Sequence, residues 1–323
     1  MSQNTHRLGW IGMGRMGTPM AELLLKAGHD VKLWNRTKSK AEPLAKKGAK
    51  LVDVPADLGD VDIIFTMVST GKDLKQVYFG ENGVASGGKG KVPKIFVDCS
   101  SIGVEDSAEV REKLNALGAD YLAVPVSGNG KCVKAGKLST VVSGPKAAYD
   151  IAKPYIDTFG KAGTSYVGEG ELARICKIAH NVMLGVVIQN LAEITLLAQK
   201  HGVPRHAFLE FMNNSVMGST FTRYKSNAFV NLDWTTTFTP ELLRKDLDLG
   251  LAAGRKYNVP MPTTIAARET LQGHFGAATL KEDPEHYLGL DFAALLETQA
   301  LLSGMKLESE GVPVPTGLEV DDH

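Results

Sequence analysis

The 323-residue sequence predicts an α/β protein: a doubly wound, mostly parallel sheet, then one long connecting helix, then an all-helical second half. Three observations predict it. Short apolar runs alternate with helical patterns as far as residue 168. Strand signals then fade. A single helical pattern fills Glu171 to Gly202, and only helical patterns follow it.

The elements follow in order. LGWIG (8–12) is a short apolar strand ending in glycine, and PMAELLLKA (19–27) is a helix stopped by Gly28. VKLWN (31–35) is the next strand, and KAEPLAKKG (40–48) reads as a helix closing at Gly48. DIIFTMV (62–68), KIFVDCS (94–100), DYLAVPVS (120–127) and LSTVVSG (138–144) are further strands, with EDSAEVREKLNALG (105–118) a helix between two of them. The glycine-rich GENGVASGGKGK (80–91) is expected as a surface loop. Later helices are expected at 205–214, 240–257, 262–275 and 292–304, with a loose, proline-containing tail from about 305. The expected units are a cofactor domain at 1–168, an interdomain helix at 169–201 and a helical domain at 202–323.

Composition narrows the function classes. Lys plus Arg and Asp plus Glu are 36 each, so no positive footprint for a nucleic acid or an acidic membrane is expected. The N-terminus carries no signal-peptide pattern, and no uninterrupted apolar run reaches the length of a membrane span. Cys99, Cys132 and Cys176 are odd in number and form no CxxC pair, and the eight histidines show no ligand spacing. A cytoplasmic enzyme with reduced thiols and no metal is the expectation.

Gly12-Met13-Gly14-Arg15-Met16-Gly17 is G-x-G-x-x-G, between a predicted strand and a predicted helix. Gly12 permits the tight turn, Gly14 a close approach of pyrophosphate to backbone, and Gly17 close helix–strand packing, in a Rossmann-type domain. The helix N-terminus would then face the phosphates. At the end of the second strand, where NAD-type domains place an acid for the ribose, stand Asn35-Arg36-Thr37. A guanidinium there suits a 2′-phosphate, so NADP(H) is expected, with NAD(H) the alternative.

With these motifs in place, the chain resembles the β-hydroxyacid dehydrogenases, the group of 3-hydroxyisobutyrate dehydrogenase, tartronate semialdehyde reductase and glyoxylate/succinic semialdehyde reductase. The resemblance rests on four motifs in order: GMGRMG (12–17); Pro125-Val126-Ser127-Gly128-Asn129 with Ala135-Gly136-Lys137-Leu138; Lys177-Ile178-Ala179-His180-Asn181; and Lys245-Asp246-Leu247 with Phe238 upstream. Asn129 and His180 depart from the family pattern, which has glycine and asparagine there. The resemblance implies that Ser127 and the Gly128 amide hold a substrate carboxylate, with Asn129 in the same loop. It implies that Asn181 orients the hydroxyl and that His180 assists or selects another substrate group. Lys245 and Phe238 would lie near the cofactor, Asp246 near substrate, and Val68, Ser69 and Ser101 along the cofactor. The implied substrate is a small carboxylated aldehyde or its hydroxy acid, and the implied assembly a homodimer or homotetramer.

Lys177, His180 and Asn181 share one helix face at i, i+3 and i+4. Hydride delivered to an aldehyde carbon leaves charge on oxygen, which an ammonium stabilises and protonates. Oxidation needs the neutral amine, so the site has to lower the lysine from its free value of ~10.4, through burial and repulsion from Arg174 at i−3. The competing readings are an NAD-dependent 3-hydroxyisobutyrate or threonate-type dehydrogenase, an imine reductase, and a non-catalytic binding module. The last two are expected to lack the lysine.

Overall fold

The computed structural model of the protein describes residues 6–88 and 90–319. The chain divides into two units, Met1–Lys177 and Ile178–His323. The division falls inside the long helix expected between the two domains.

The first unit contains β1 (Leu8–Ile11), α1 (Gly17–Lys26), β2 (Val31–Trp34), α2 (Glu42–Ala45), β3 (Lys50–Leu51), β4 (Ile63–Thr66), α3 (Gly71–Phe79) and β5 (Ile95–Asp98). It continues with α4 (Val104–Ala116), β6 (Asp120–Ala123), β7 (Val126–Ser127), α5 (Gly130–Lys134), β8 (Ser139–Val142), α6 (Lys146–Phe159) and β9 (Gly163–Tyr166). Six strands form a parallel sheet in the order β3-β2-β1-β4-β5-β6, which reverses direction between β1 and β4. Such sheets bind ligands beyond their strand carboxyl ends at that reversal. β1, β4 and β5 are buried along their whole length, which is why they read as apolar runs rather than alternating ones. One face packs Trp10 against Phe65, stacked at 5.6 Å, under α1 and α6. The other packs Ile11, Ile64, Tyr78 and Phe96.

Three expectations change here. DYLAVPVS is two strands, because Pro125 cannot donate to a ladder: β6 stays in the parallel sheet, and β7 pairs antiparallel with β8. The helix expected at 40–48 shrinks to a 3₁₀ turn at Lys38–Lys40 and the single turn α2, with Pro43 at its start and Gly48 at φ +102° beyond its end. β9, pairing parallel with β8, was not expected, since GTSY offers only Tyr166 to a core.

α7 (Leu172–Lys200) begins in the first unit and runs into the second. There α8 (Arg205–Asn214), α9 (Thr220–Asn231), α10 (Pro240–Lys256), α11 (Pro262–Ala278), α12 (Pro284–Gly289) and α13 (Leu295–Leu302) follow. Ile188, Leu191, Ala192 and Leu196 of α7 join Phe229, Leu243, Leu247, Phe292 and Leu296 in one core. Among the described residues α7 is the one helix long and apolar enough to cross a membrane by length and composition, although its apolar run is interrupted by Gln189, Asn190, Glu193 and Thr195. Half of its apolar window is buried inside the protein, where Ile188 and Leu196 meet the other helices.

The segment from 305 has no regular structure, as expected of a tail, but it is not loose. Arg205 donates to the carbonyls of Phe229, Val230 and Glu308. The Glu310 carboxylate accepts the Arg205 and His206 amides at 2.7 and 2.9 Å, closing the start of α8. Leu318 is buried. Asp321, Asp322 and His323, the acidic end of the expected tail, lie outside the described residues.

Candidate active site

In the first unit, the residues singled out for cofactor binding fall at the carboxyl ends of four neighbouring strands: the glycine loop after β1, Asn35–Thr37 after β2, Val68 and Ser69 after β4, and Ser101 after β5. The glycine loop has separate physical reasons for each glycine. Gly12 sits at φ +97°, and a Cβ there would lie 2.1 Å from the Met67 carbonyl oxygen. A Cβ on Gly17 would lie 2.0 Å from the Gly12 carbonyl oxygen, so only glycine lets α1 start this close to β1. Gly14 faces open space, with nothing within 4 Å of such an atom. No side chain caps α1. An exposed glycine at an uncapped helix N-terminus is a cradle that fits a pyrophosphate.

The loop is braced from two sides. Trp10 Nε1 donates to the Gly12 carbonyl at 3.0 Å, and the Asn35 Oδ1 accepts the Met13 amide at 2.8 Å. Asn35 therefore works as a brace between the ends of β1 and β2. Arg36 is 84% exposed, with Nη1 3.4 Å from Asp73 Oδ1 in the first turn of α3. The exposed Thr37 carbonyl accepts from Asn35 Nδ2 at 2.7 Å.

Ser127 ends β7, and Gly128 follows at φ +128°, where a Cβ would press on Cys132 at 2.8 Å. Asn129 replaces the family's glycine for a local reason. Its Oδ1 accepts the Lys131 and Cys132 amides at 2.9 and 3.1 Å, capping α5. Its Nδ2 is buried without a partner among the described residues.

Lys177 is half-buried on α7. Arg174, expected to repel it, is buried instead, and its charge is compensated by Asp98 at the end of β5. Sequence reasoning missed this pair. The one signal available was an arginine at the start of an apolar helix.

In the second unit, His180, Asn181, Lys245 and Asp246 come together. Two glycines allow it. A Cβ on Gly250 of α10 would lie 2.1 Å from Val182 Cγ2, and one on Gly185 of α7 would lie 2.8 Å from Leu247 Cδ2, so the helices approach closely. Asn181 and Asp246 are both buried, and Asn181 Nδ2 donates to Asp246 Oδ2 at 2.6 Å. That fixes the amide, so its Oδ1 accepts from His180 Nδ1 at 2.9 Å. Lys245 Nζ lies 3.5 Å from Asp246 Oδ1. Phe238 precedes α10 in a segment held by Asp291, whose Oδ2 accepts from the Thr237 amide and hydroxyl at 2.8 and 2.7 Å. Lys225, buried and within 4.2 Å of the Phe292 ring centre, donates to the same carboxylate. This clamp was also missed in the sequence.

A family model described as the NAD binding domain of 6-phosphogluconate dehydrogenase matches residues 7–168. A second, described as NAD-binding of NADP-dependent 3-hydroxyisobutyrate dehydrogenase, matches residues 171–289. The chain is 33% identical over 269 residues to glyoxylate/succinic semialdehyde reductase 2, chloroplastic, of Arabidopsis thaliana, covering 82% of this chain and 74% of that protein. It is 30% identical over 303 residues to 2-hydroxy-3-oxopropionate reductase of Escherichia coli, covering 93% and 99%. It is 31% identical over 265 residues to the human cytokine-like nuclear factor N-PAC, covering 81% of this chain but 47% of that protein. The crystal structure of 3-hydroxyisobutyrate dehydrogenase from Salmonella typhimurium superposes with a TM-score of 0.77 at 23% identity, covering 90% and 99%, a likeness of fold.

Proposed function

This chain belongs to the β-hydroxyacid dehydrogenase family, NAD(P)-dependent oxidoreductases acting on CH–OH groups, and from that premise we propose that it interconverts a small carboxylated aldehyde of the semialdehyde or glyoxylate type with its hydroxy acid, using NADP(H). The observation that carries the reading is Lys177 on the helix face it shares with His180 and Asn181, one turn before an asparagine locked to a buried carboxylate. Lys177 serves as the general acid in reduction and as the base in oxidation. Its ammonium meets the negative charge that grows on the carbonyl oxygen. Ser127 and the Gly128 amide hold the substrate carboxylate, and Asn181 orients the reacting oxygen with His180 beside it. NADPH, when bound, supplies the hydride. The glycine loop takes its pyrophosphate, and Arg36 takes the 2′-phosphate, which is the basis for preferring NADP(H) to NAD(H).

The test follows absorbance of NADPH, and separately NADH, with glyoxylate, succinic semialdehyde, tartronate semialdehyde and methylmalonate semialdehyde, comparing the wild type with Lys177→Ala. Oxidation of NADPH is expected, lost by ~10²-fold or more in the variant. Faster turnover with NADH would overturn the cofactor assignment alone. An inert wild type that binds neither cofactor would overturn the enzymatic reading.

A further inference from the structure

The first turn of α7 is fastened to the sheet by a buried polar network. Arg174 is 1% exposed. Its Nη2 donates to the Asp98 carboxylate and, at 2.8 Å, to the Tyr121 hydroxyl. Its Nη1 donates to the Ser100 carbonyl and its Nε to the Ser107 hydroxyl at 3.1 Å. Burial pushes the Tyr121 phenol well above its ordinary range, so it stays protonated and donates to Asp98 Oδ2 at 3.0 Å. Asp98 Oδ1 accepts the Ser100 amide at 3.1 Å, and Ser100 Oγ accepts the Val68 amide at 2.9 Å. A continuous chain of bonds therefore runs from Val68, at the end of β4, through Ser100 and Asp98 to Arg174. A second fastening, from the Ala173 amide to Ser143 Oγ at 3.0 Å, lies one residue earlier.

Lys177 is three residues past Arg174, about 4.5 Å further along the helix axis and about 60° around it. It therefore leaves α7 on the side that Arg174 turns toward the strand ends. A planar fork bonded to four residues fixes the rotation and the axial position of that turn together, which a lysine or an apolar side chain cannot do. Stability alone is a weak reason to bury such a pair, since well-packed apolar replacements often serve as well.

We propose that Arg174 is a positioning residue for the reaction. Through Asp98 and Ser100 it sets the Lys177 ammonium against Val68 and Ser101, the strand ends assigned to the cofactor, and so fixes where the proton is delivered relative to the hydride. This rests on the reading of Lys177 as the acid–base group.

The test compares kcat, KM and NADPH affinity for Arg174→Lys, Arg174→Ala and Tyr121→Phe, with Lys177→Ala alongside, using the aldehyde the wild type reduces fastest. A misplacement of an ångström is enough to lower kcat by about 10- to 100-fold in the two Arg174 variants, with NADPH affinity within about twofold of wild type. Tyr121→Phe, which removes the hydroxyl's bonds to Arg174 and Asp98 but leaves the Arg174–Asp98 pair in place, lowers kcat less. Guanidinium at low millimolar concentration restores part of the kcat of Arg174→Ala, and methylammonium does not. Wild-type kcat in both Arg174→Lys and Tyr121→Phe, with Lys177→Ala inactive, overturns the positioning role and leaves the reaction assignment standing. An active Lys177→Ala overturns that assignment, and the positioning role with it.

Discussion

Replacing Arg36 tests the cofactor assignment most directly. The side chain is exposed and approaches Asp73 at 3.4 Å, and Asp73 is itself held by the Thr70 hydroxyl at 2.7 Å. A charge-assisted bond from a guanidinium to a phosphate contributes about 1.5–3 kcal/mol. NADPH has to draw the guanidinium away from Asp73, and an exposed pair of this kind is worth about 0–1 kcal/mol. The net of about 1–2 kcal/mol makes Arg36→Ala weaken NADPH binding by about 5- to 30-fold. NADH, which lacks the phosphate, is unaffected. Asp73→Asn removes both the competitor and a negative charge, so it tightens NADPH, and more so at low salt. Fluorescence titration of each variant with both cofactors measures this. Equal weakening of NADPH and NADH by Arg36→Ala, or no weakening of either, would refute the 2′-phosphate contact.

Other perturbations follow from the packing. In Gly17→Ala the new methyl meets a backbone oxygen at 2.0 Å that cannot move without opening the glycine loop, so NADPH affinity falls at least tenfold and the thermal midpoint drops; a variant that binds NADPH normally would be the contrary result. Gly250→Ala pushes α10 from α7 at Val182, costs about 1–3 kcal/mol of stability and strains the Asn181–Asp246 bond; a KM for the aldehyde that stays at the wild-type value in a stably folded variant would show the two helices need not meet so closely. Burial lowers the His274 imidazole from its ordinary 6.5 to about 4, so between those values the unfolded chain takes up a proton that the folded protein refuses. Stability is therefore lost as pH falls from about 6.5 to about 4, by up to about 3 kcal/mol, and His274→Gln flattens that loss in melts at pH 7 and pH 4.5; parallel curves for the two proteins would contradict it.

What the sequence disclosed depends on how local each signal is. The G-x-G-x-x-G loop was legible because its glycines answer to backbone distances within six residues and to one neighbouring strand. The α7 face was legible because i, i+3 and i+4 meet on any helix. α8 spans the expected residues because Pro204 precedes it and Ser215 ends it. Pairings across the chain were not legible. Nothing near Arg174 announces that its partner is Asp98, 76 residues earlier, and a reading confined to the helix turned the arginine toward Lys177 instead. Asn129 was legible only as a departure from the expected glycine: that its Oδ1 caps α5, while its Nδ2 is buried without a partner among the described residues, depends on how the loop folds. The tail from 305 has the composition of a loose end, but Arg205 supplies it with a long-range partner.

Among the described residues each unit contains a deeply buried ion pair, and each pair is built around an aspartate that also accepts backbone amides, one at Asp98 and three at Asp291. Asp98 takes Arg174 and the Ser100 amide; Asp291 takes Lys225 and the amides of Thr237, Phe238 and Ala293. A carboxylate that accepts several N–H groups holds a loop in one conformation only while its own charge is compensated. The cation in each pair supplies that compensation from a helix, so the loop geometry becomes tied to the helix. In the first unit the helix is α7 and the loop follows β5, ending at Ser101. In the second the helix is α9 and the loop carries Phe238 into α10, with Lys245 and Asp246 two turns on. The buried charges thus lie beneath the segments on which the proposed chemistry depends, where a small displacement costs more in rate than in stability.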